Sequence, residues 1–297
     1  MNRKEGGYFH AVELRKARRI VVKIGTNVIT RNDGHLAVSK IKSLVAQTVY
    51  LKNAGSEKRD VLVVTSGAIG AGMAKLGLGE KPMDLVLKQA SAAVGQSSLM
   101  HYYERYFQKY NQLVAQVLLT QDDWMEETKR LNLNNALSTL LKLDVIPIIN
   151  ENDVVATDEI ASTSEDGEEW LNFSDNDTLS AAIACELGAD LLILLSNVDG
   201  VFDSYPITKS SKLIEVISYK DQGVEKIAEL TNGKSKYGRG GMLSKIKAAK
   251  TAAEKGVATI IANGCEKNIL SKLLDGNGRC TFFEAKKLNG NRGEKDG

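Results

Sequence analysis

A mainly parallel α/β sheet, open at both ends and sandwiched between two helical layers, is the fold class that this sequence predicts. Two observations predict it. Six short runs rich in Val and Ile recur along the chain without polar alternation, as strands buried on both faces do. Between them lie longer stretches with helical periodicity, and strand–helix alternation of this kind builds a parallel sheet with crossovers on both faces.

Taken in order, Ile20–Ile24 is the first strand, and the pattern from Leu36 to Asn53 is a helix closed by Gly55. Val61–Val64 follows, then the Gly-rich turn "TSGAIGAG" over Thr65–Gly72. Asp84 to Tyr110 reads as one long helix or two short ones. Val114–Leu119 and Val145–Ile149 are strands on either side of a helix from Lys129 to Leu143. "NFSDNDTLSA" supplies a capped helix start, with Ser174 or Asp175 as the cap, and that helix stops at Gly188. Leu191–Leu195, a helix from Gly241 to Lys255 stopped by Gly256, and Ala258–Ala262 complete the pattern. The expected organisation is a basic, disordered lead-in over 1–17, one domain over 18–285 and a polar tail over 286–297. The segment Asp158–Glu169 has six acidic residues and no basic one, and reads as a solvated, mobile loop.

Composition excludes several chemistries. Three histidines (His10, His35, His101) are too few and too scattered for a His-based triad or zinc site, and three cysteines at no ligand spacing read as reduced thiols in a cytoplasmic setting. A net charge of +2 gives no argument for nucleic acid, and no apolar run approaches the ~20 residues that span a bilayer.

The chemistry is expected at strand exits, where open α/β sheets bind ligands. Lys23 is a cation at the tip of an otherwise apolar strand. It is either an edge-strand lysine whose head reaches water or a cation placed to meet phosphate oxygens. Gly25 beyond it admits a close approach to the backbone. The turn at 66–72 presents peptide N–H groups at a helix start. "NENDVVA" and "SNVDGVF" are two more polar exits. No dinucleotide fingerprint occurs, and "NGKS" at 232–235 fails as a Walker A because the required earlier glycine is Ala228. In "YGRGGMLSKIKAAK", Lys245 lies in the first turns of a helix, where its charge opposes the dipole unless an anion sits there. Asp175, Asn176 and Asp177 exceed what one helix cap needs, and the surplus carboxylate could hold the two lysines.

The motifs "VVKIGTNVIT", "VTSGAIGAGM", "AAVGQ", "INENDVVA", "SDNDTLSA", "GRGGMLSK" and "ATIIANG" together resemble the amino acid kinase family, and within it the glutamate 5-kinase branch. The resemblance runs from about Arg18 to Phe283 and implies the amino acid kinase fold. It implies ATP-dependent phosphorylation of the γ-carboxylate of glutamate, with Mg²⁺, as the first step towards proline. Lys23, Lys245 and Asp177 would be catalytic, and Ser66, Gly67, Asp153, Asp175 and Asn176 would hold glutamate. Lys23, Gly25, Ser196, Asn197, Arg239, Gly240, Gly241, Met242 and Lys245 would meet ATP. No protein ligand for the metal is assigned. Implied partners are proline as feedback inhibitor, a glutamate-5-semialdehyde dehydrogenase, and further copies of the chain in a dimer or tetramer. The RNA-binding-type C-terminal domain of many bacterial relatives is not expected. A sister kinase acting on N-acetylglutamate, aspartate, carbamate or UMP, and a non-catalytic amino-acid sensor, are the alternatives on this fold.

Overall fold

The computed structural model describes residues 11–55, 58–78, 84–156, 175–221 and 241–287. Their strands form one eight-stranded sheet: β1 (Arg19–Ile24), β2 (Asp60–Val64), β3 (Val114–Leu119), β4 (Ile146–Glu151), β5 (Leu191–Ser196), β6 (Val216–Ser218), β7 (Ala258–Asn263) and β8 (Cys280–Glu284). Their spatial order is β3-β4-β2-β1-β5-β7-β8-β6. All pairings are parallel except β7 with β8. The six runs read from sequence are thus strands, with bounds moved by a residue or two. The sequence reading did not mark β6 and β8, and β8 breaks the purely parallel pattern.

Residues 11–16 are helical and Leu14 is buried in the core, so the described part of the lead-in is ordered and not disordered as expected. The helices after it are α1 (Thr26–Ile29), α2 (Val38–Asn53), α3 (Ala68–Lys75), α4 (Leu85–Gln108), α5 (Gln121–Met125), α6 (Glu127–Lys142), α7 (Asn176–Glu186), α8 (Met242–Glu254) and α9 (Ile269–Asp275). The Asp84–Tyr110 pattern is one continuous helix, whose start is capped by the Asp84 carboxylate accepting from Val86 N at 3.2 Å. Asp175, not Ser174, is the cap of α7; its Oδ1 accepts from the backbone N–H groups of Asp177 and Thr178 at 2.9 and 3.0 Å.

Two cores lie on the two faces of the sheet. Ile20, Val22 and Ile24 of β1 pack into the first with α2, α4 and α9; Val21 packs into the second with α6, α7 and α8. Strand side chains alternate between faces, so Lys23 falls on the side of α7 and α8. β1 sits in the middle of the sheet between β2 and β5, which removes the edge-strand reading of Lys23. A second correction concerns β3. Its run looked like a doubly buried strand, but it occupies the sheet edge and only Leu119 is buried. An edge strand has one neighbour and less helix cover, so apolar content alone cannot distinguish it. The three cysteines are unpaired, and no helix among the described residues is long and apolar enough to cross a membrane.

Candidate active site

Parallel pairing puts the carboxyl ends of β1, β2, β4 and β5 on one edge of the sheet, and the polar exits noted in the sequence meet there around a cleft of about 810 Å³. That volume lies in the range of small-molecule sites. The N-termini of α3, α7 and α8 contribute to its wall through Gly67, Asn176 and Met242, so the positive ends of three helices face one space.

At the centre is a buried charge cluster. Lys23 Nζ lies 2.6 Å from Asp177 Oδ1, and Lys245 Nζ donates to Asp177 Oδ2 at 2.8 Å. Asp177 is fully buried, and the lysines are 4% and 6% exposed. Burial alone would push the Asp177 carboxyl up, but the two ammonium charges outweigh it and hold the group below the usual carboxylate range. Burial pulls the Lys23 ammonium below the ordinary lysine value; Asp177 opposes that fall and Lys245 adds to it. Two cations share one carboxylate. Asp175 also acts on Lys23, but its oxygens are committed to the α7 cap and to the Ser244 hydroxyl. The arrangement leaves cationic groups facing a cleft at helix N-termini, which is the electrostatics of an anion site.

On one flank, Ser66 follows β2 and Gly67 takes φ +93°, a left-handed conformation that starts α3 without a side-chain penalty. The later glycine of this turn, Gly72, serves packing: a Cβ there would lie 1.7 Å from the Ser91 carbonyl oxygen on α4. Asn176 Nδ2 donates to Ser66 Oγ and to Asn150 Oδ1, both at 3.0 Å. Asp153, beyond β4, also lines the cleft. On the other flank, Gly25 N–H donates to Leu195 O at 3.1 Å, and a Cβ on Gly25 would crowd that oxygen. The glycine therefore serves strand packing. Ser196 is buried at the end of β5, Asn197 beside it is exposed, and both line the cleft with Gly241 and Met242.

The structure thus brings together Lys23, Lys245, Asp177, Ser66, Gly67, Asp153, Asp175, Asn176, Gly25, Ser196, Asn197, Gly241 and Met242. Arg239, Gly240 and the acidic segment 158–169 lie outside the described residues. Sequence reasoning gave no role to Asn150 or Gln96, although each lies in a quoted motif, and did not foresee that Ser244 would bond Asp175. Polar residues in a motif carry a signal, but which of them turns inward depends on tertiary contacts.

Residues 18–263 match the amino acid kinase family. The chain is 45% identical over 266 residues to a glutamate 5-kinase of Caldanaerobacter subterraneus subsp. tengcongensis, covering 89% of this chain and 67% of the relative. It is 41% identical over 271 residues to the glutamate 5-kinase of Clostridium acetobutylicum, covering 91% and 96%. Among solved structures, carbamate kinase from Giardia lamblia bound to AMP-PNP superposes with a TM-score of 0.62 at 13% identity, covering 92% of this chain and all of that one. UMP kinase from Ureaplasma parvum gives 0.58 at 16%, covering 91% and 99%. These two structures share the fold. The chain belongs to the amino acid kinase family and, within it, to the glutamate 5-kinases.

Proposed function

We propose that this chain transfers the γ-phosphoryl group of ATP to the γ-carboxylate of L-glutamate, giving L-glutamyl 5-phosphate and ADP, the first step towards proline. The observation that carries the reading is the Lys23–Asp177–Lys245 cluster, set between a flank built from Ser66, Gly67, Asn176 and Asp153 and a flank built from Gly25, Ser196 and Gly241. The first flank suits the amino acid and the second the nucleotide. The names of the relatives support the substrate.

A carboxylate oxygen of glutamate attacks the γ-phosphorus, the bond to the β,γ-bridging oxygen breaks, and ADP leaves with that electron pair. The nucleophile is already ionised, so no base is needed, which suits a cleft without histidine among its lining residues. Phosphoryl transfer leaves the protein mainly placement and charge neutralisation. Lys23 and Lys245 would hold the equatorial oxygens, and Asp177 would fix the spacing of the two ammonium groups.

Among the described residues no group of three or more acidic, His or Cys side chains could hold a metal, and Asp177 and Asp175 are committed to lysines, a helix cap and Ser244. This donor set fits Mg²⁺ carried by the phosphates of the nucleotide with water, as is common for this ion, and not one caged by the chain. When bound, the ion would neutralise phosphate charge.

A hydroxylamine trap tests the proposal, because an acyl phosphate gives a hydroxamate. Glutamate should give product, and N-acetylglutamate, aspartate and carbamate should give little or none. UMP, tested by ADP release, should also fail. Turnover of another acceptor at the rate of glutamate would overturn the assignment.

A further inference from the structure

Behind the amino-acid flank lies a chain of buried amides. Asn150 Nδ2 donates to Gln96 Oε1 at 3.0 Å, and Asn150 Oδ1 accepts from Asn176 Nδ2 at 3.0 Å. Asn176 Nδ2 spends its second hydrogen on Ser66 Oγ, also at 3.0 Å. Four separate elements contribute: α4, the end of β4, the start of α7 and the exit of β2. Ser66, Asn150 and Asn176 line the cleft; Gln96 does not, and it is 7% exposed while Asn150 is 1%.

The direction of these bonds has chemical content. An amide offers donors at one atom and an acceptor at the other, so fixing one member of a chain fixes the next. Gln96 accepts through Oε1, while its own Nε2 is buried without a hydrogen-bond partner; with the amide in this orientation Asn150 turns its NH₂ inward and its oxygen towards Asn176. Asn176 then gives both hydrogens to protein atoms and has only acceptor capacity left, at an Oδ1 that is buried and has no hydrogen-bond partner. Ser66 receives a hydrogen on its oxygen, which leaves its own O–H to donate. An acceptor suits an ammonium, and a hydroxyl donor suits a carboxylate. Free glutamate carries both.

We propose that Gln96 is a specificity-determining positioning residue: by orienting Asn150 and, through it, Asn176 and Ser66, it sets the donor–acceptor pattern that selects an amino acid bearing a free α-ammonium. The inference rests on glutamate being the substrate. Gln96 reaches that substrate only through Asn150, so its effect falls on discrimination and not on the phosphoryl end.

The test compares glutamate with glutarate, the same dicarboxylic acid without the α-ammonium. Gln96→Met keeps the length of the side chain and removes the acceptor. Its kcat/KM ratio of glutamate to glutarate should fall about tenfold, the scale of one lost hydrogen bond in a buried network, with KM for ATP changed less than twofold. Stabilisation against heat by glutamate should shrink in this variant, while that by a non-hydrolysable ATP analogue persists. Should Gln96→Met not fold, Gln96→Glu retains the accepting oxygen and should keep the wild-type ratio within about threefold. An equal loss for both acids, or a ratio that stays at the wild-type value in Gln96→Met, overturns the proposal, as does collapse of the ratio in a folded Gln96→Glu. If the wild-type chain phosphorylates neither acid, the substrate assignment has failed, and the inference built on it falls with it.

Discussion

Replacing Asp177 by asparagine changes almost no volume and removes one negative charge from a fully buried position between two ammonium groups at 2.6 and 2.8 Å. What remains is two buried lysines facing each other without their shared counterion. Removing one partner of a buried ion pair typically costs about 3–5 kcal/mol. A chain of this size loses about 2–3 °C of Tm per kcal/mol, so the variant should melt roughly 6–15 °C lower at neutral pH. The deficit has a defined pH dependence. Lys23 is already held below its ordinary value by burial, and losing Asp177 lowers it further, so raising the pH discharges the lysine and narrows the gap between variant and wild type. The gap narrows again in acid, as the pH falls through the depressed value of Asp177 and the wild type loses the same charge. A nucleotide analogue should stabilise Asp177→Asn more than wild type, since the analogue supplies the missing anion. Turnover should fall about a hundredfold or more, because the two cations lose their spacing. Thermal unfolding from acid to alkaline pH, with and without the analogue, reads all of this. A variant within 2 °C of wild type and within threefold in kcat would refute the account of the cluster, and so would a deficit that widens with alkali.

Lys23→Ala and Lys245→Ala should each lower kcat about a hundredfold or more while changing KM for glutamate far less; steady-state kinetics with each substrate varied decides this, and near-normal turnover in either variant removes that lysine from the site. The wild-type rate should fall on the alkaline side below the ordinary lysine value of 10.5, because the protonated form of Lys23 is the working one and burial depresses its titration; Lys23→Arg, if active, should lose that limb. Asp153→Asn should raise KM for glutamate strongly and leave KM for ATP nearly unchanged, and loss of ATP affinity instead would reject the assignment of Asp153 to the amino-acid flank. Gly95→Ala would drive a methyl to 1.8 Å from the Ala68 carbonyl oxygen, so α3 and α4 must part; calorimetry should show a loss of at least about 1–3 kcal/mol, and an unchanged Tm would contradict the packing.

How much of this was legible in the sequence differs from element to element, for physical reasons. The central strands were visible because burial on both faces demands largely apolar residues, and β2, β5 and β7 meet that demand, as β1 does apart from Lys23. β3 met it too while sitting at the edge, because apolar content reports propensity and not neighbours. β6 has three residues, too few for a run to show, and β8, "CTFFE", lacks the Val and Ile that mark the other strands. Lys23 and Lys245 stood out because each contradicts its surroundings, one as a charge in an apolar strand and the other as a cation at a positive helix end. Asp177 was read as surplus to a cap, and Asp175 does make the cap hydrogen bonds while Asp177 turns to the lysines. Gln96 and Asn150 offered no such contradiction. An amide inside a motif looks the same whether it faces water or another amide, and only the approach of α4 to the end of β4 distinguishes the two.

The strand order also bears on how the chain is made. β1 emerges from the ribosome before every other strand of the sheet, yet it lies in the middle and needs both β2 and β5 to close its edges. The β5 side stays open while β2, β3, β4 and the helices between them are still being synthesised. An apolar strand exposed for that long invites pairing with other nascent chains. "RIVVKI" carries Arg19 and Lys23 within its six residues, and charges in such a segment oppose intermolecular pairing until the native neighbour arrives. Lys23 therefore has two settings: in the unfinished chain a solvated charge of the kind that opposes intermolecular pairing, and in the closed sheet a buried cation beside Asp177.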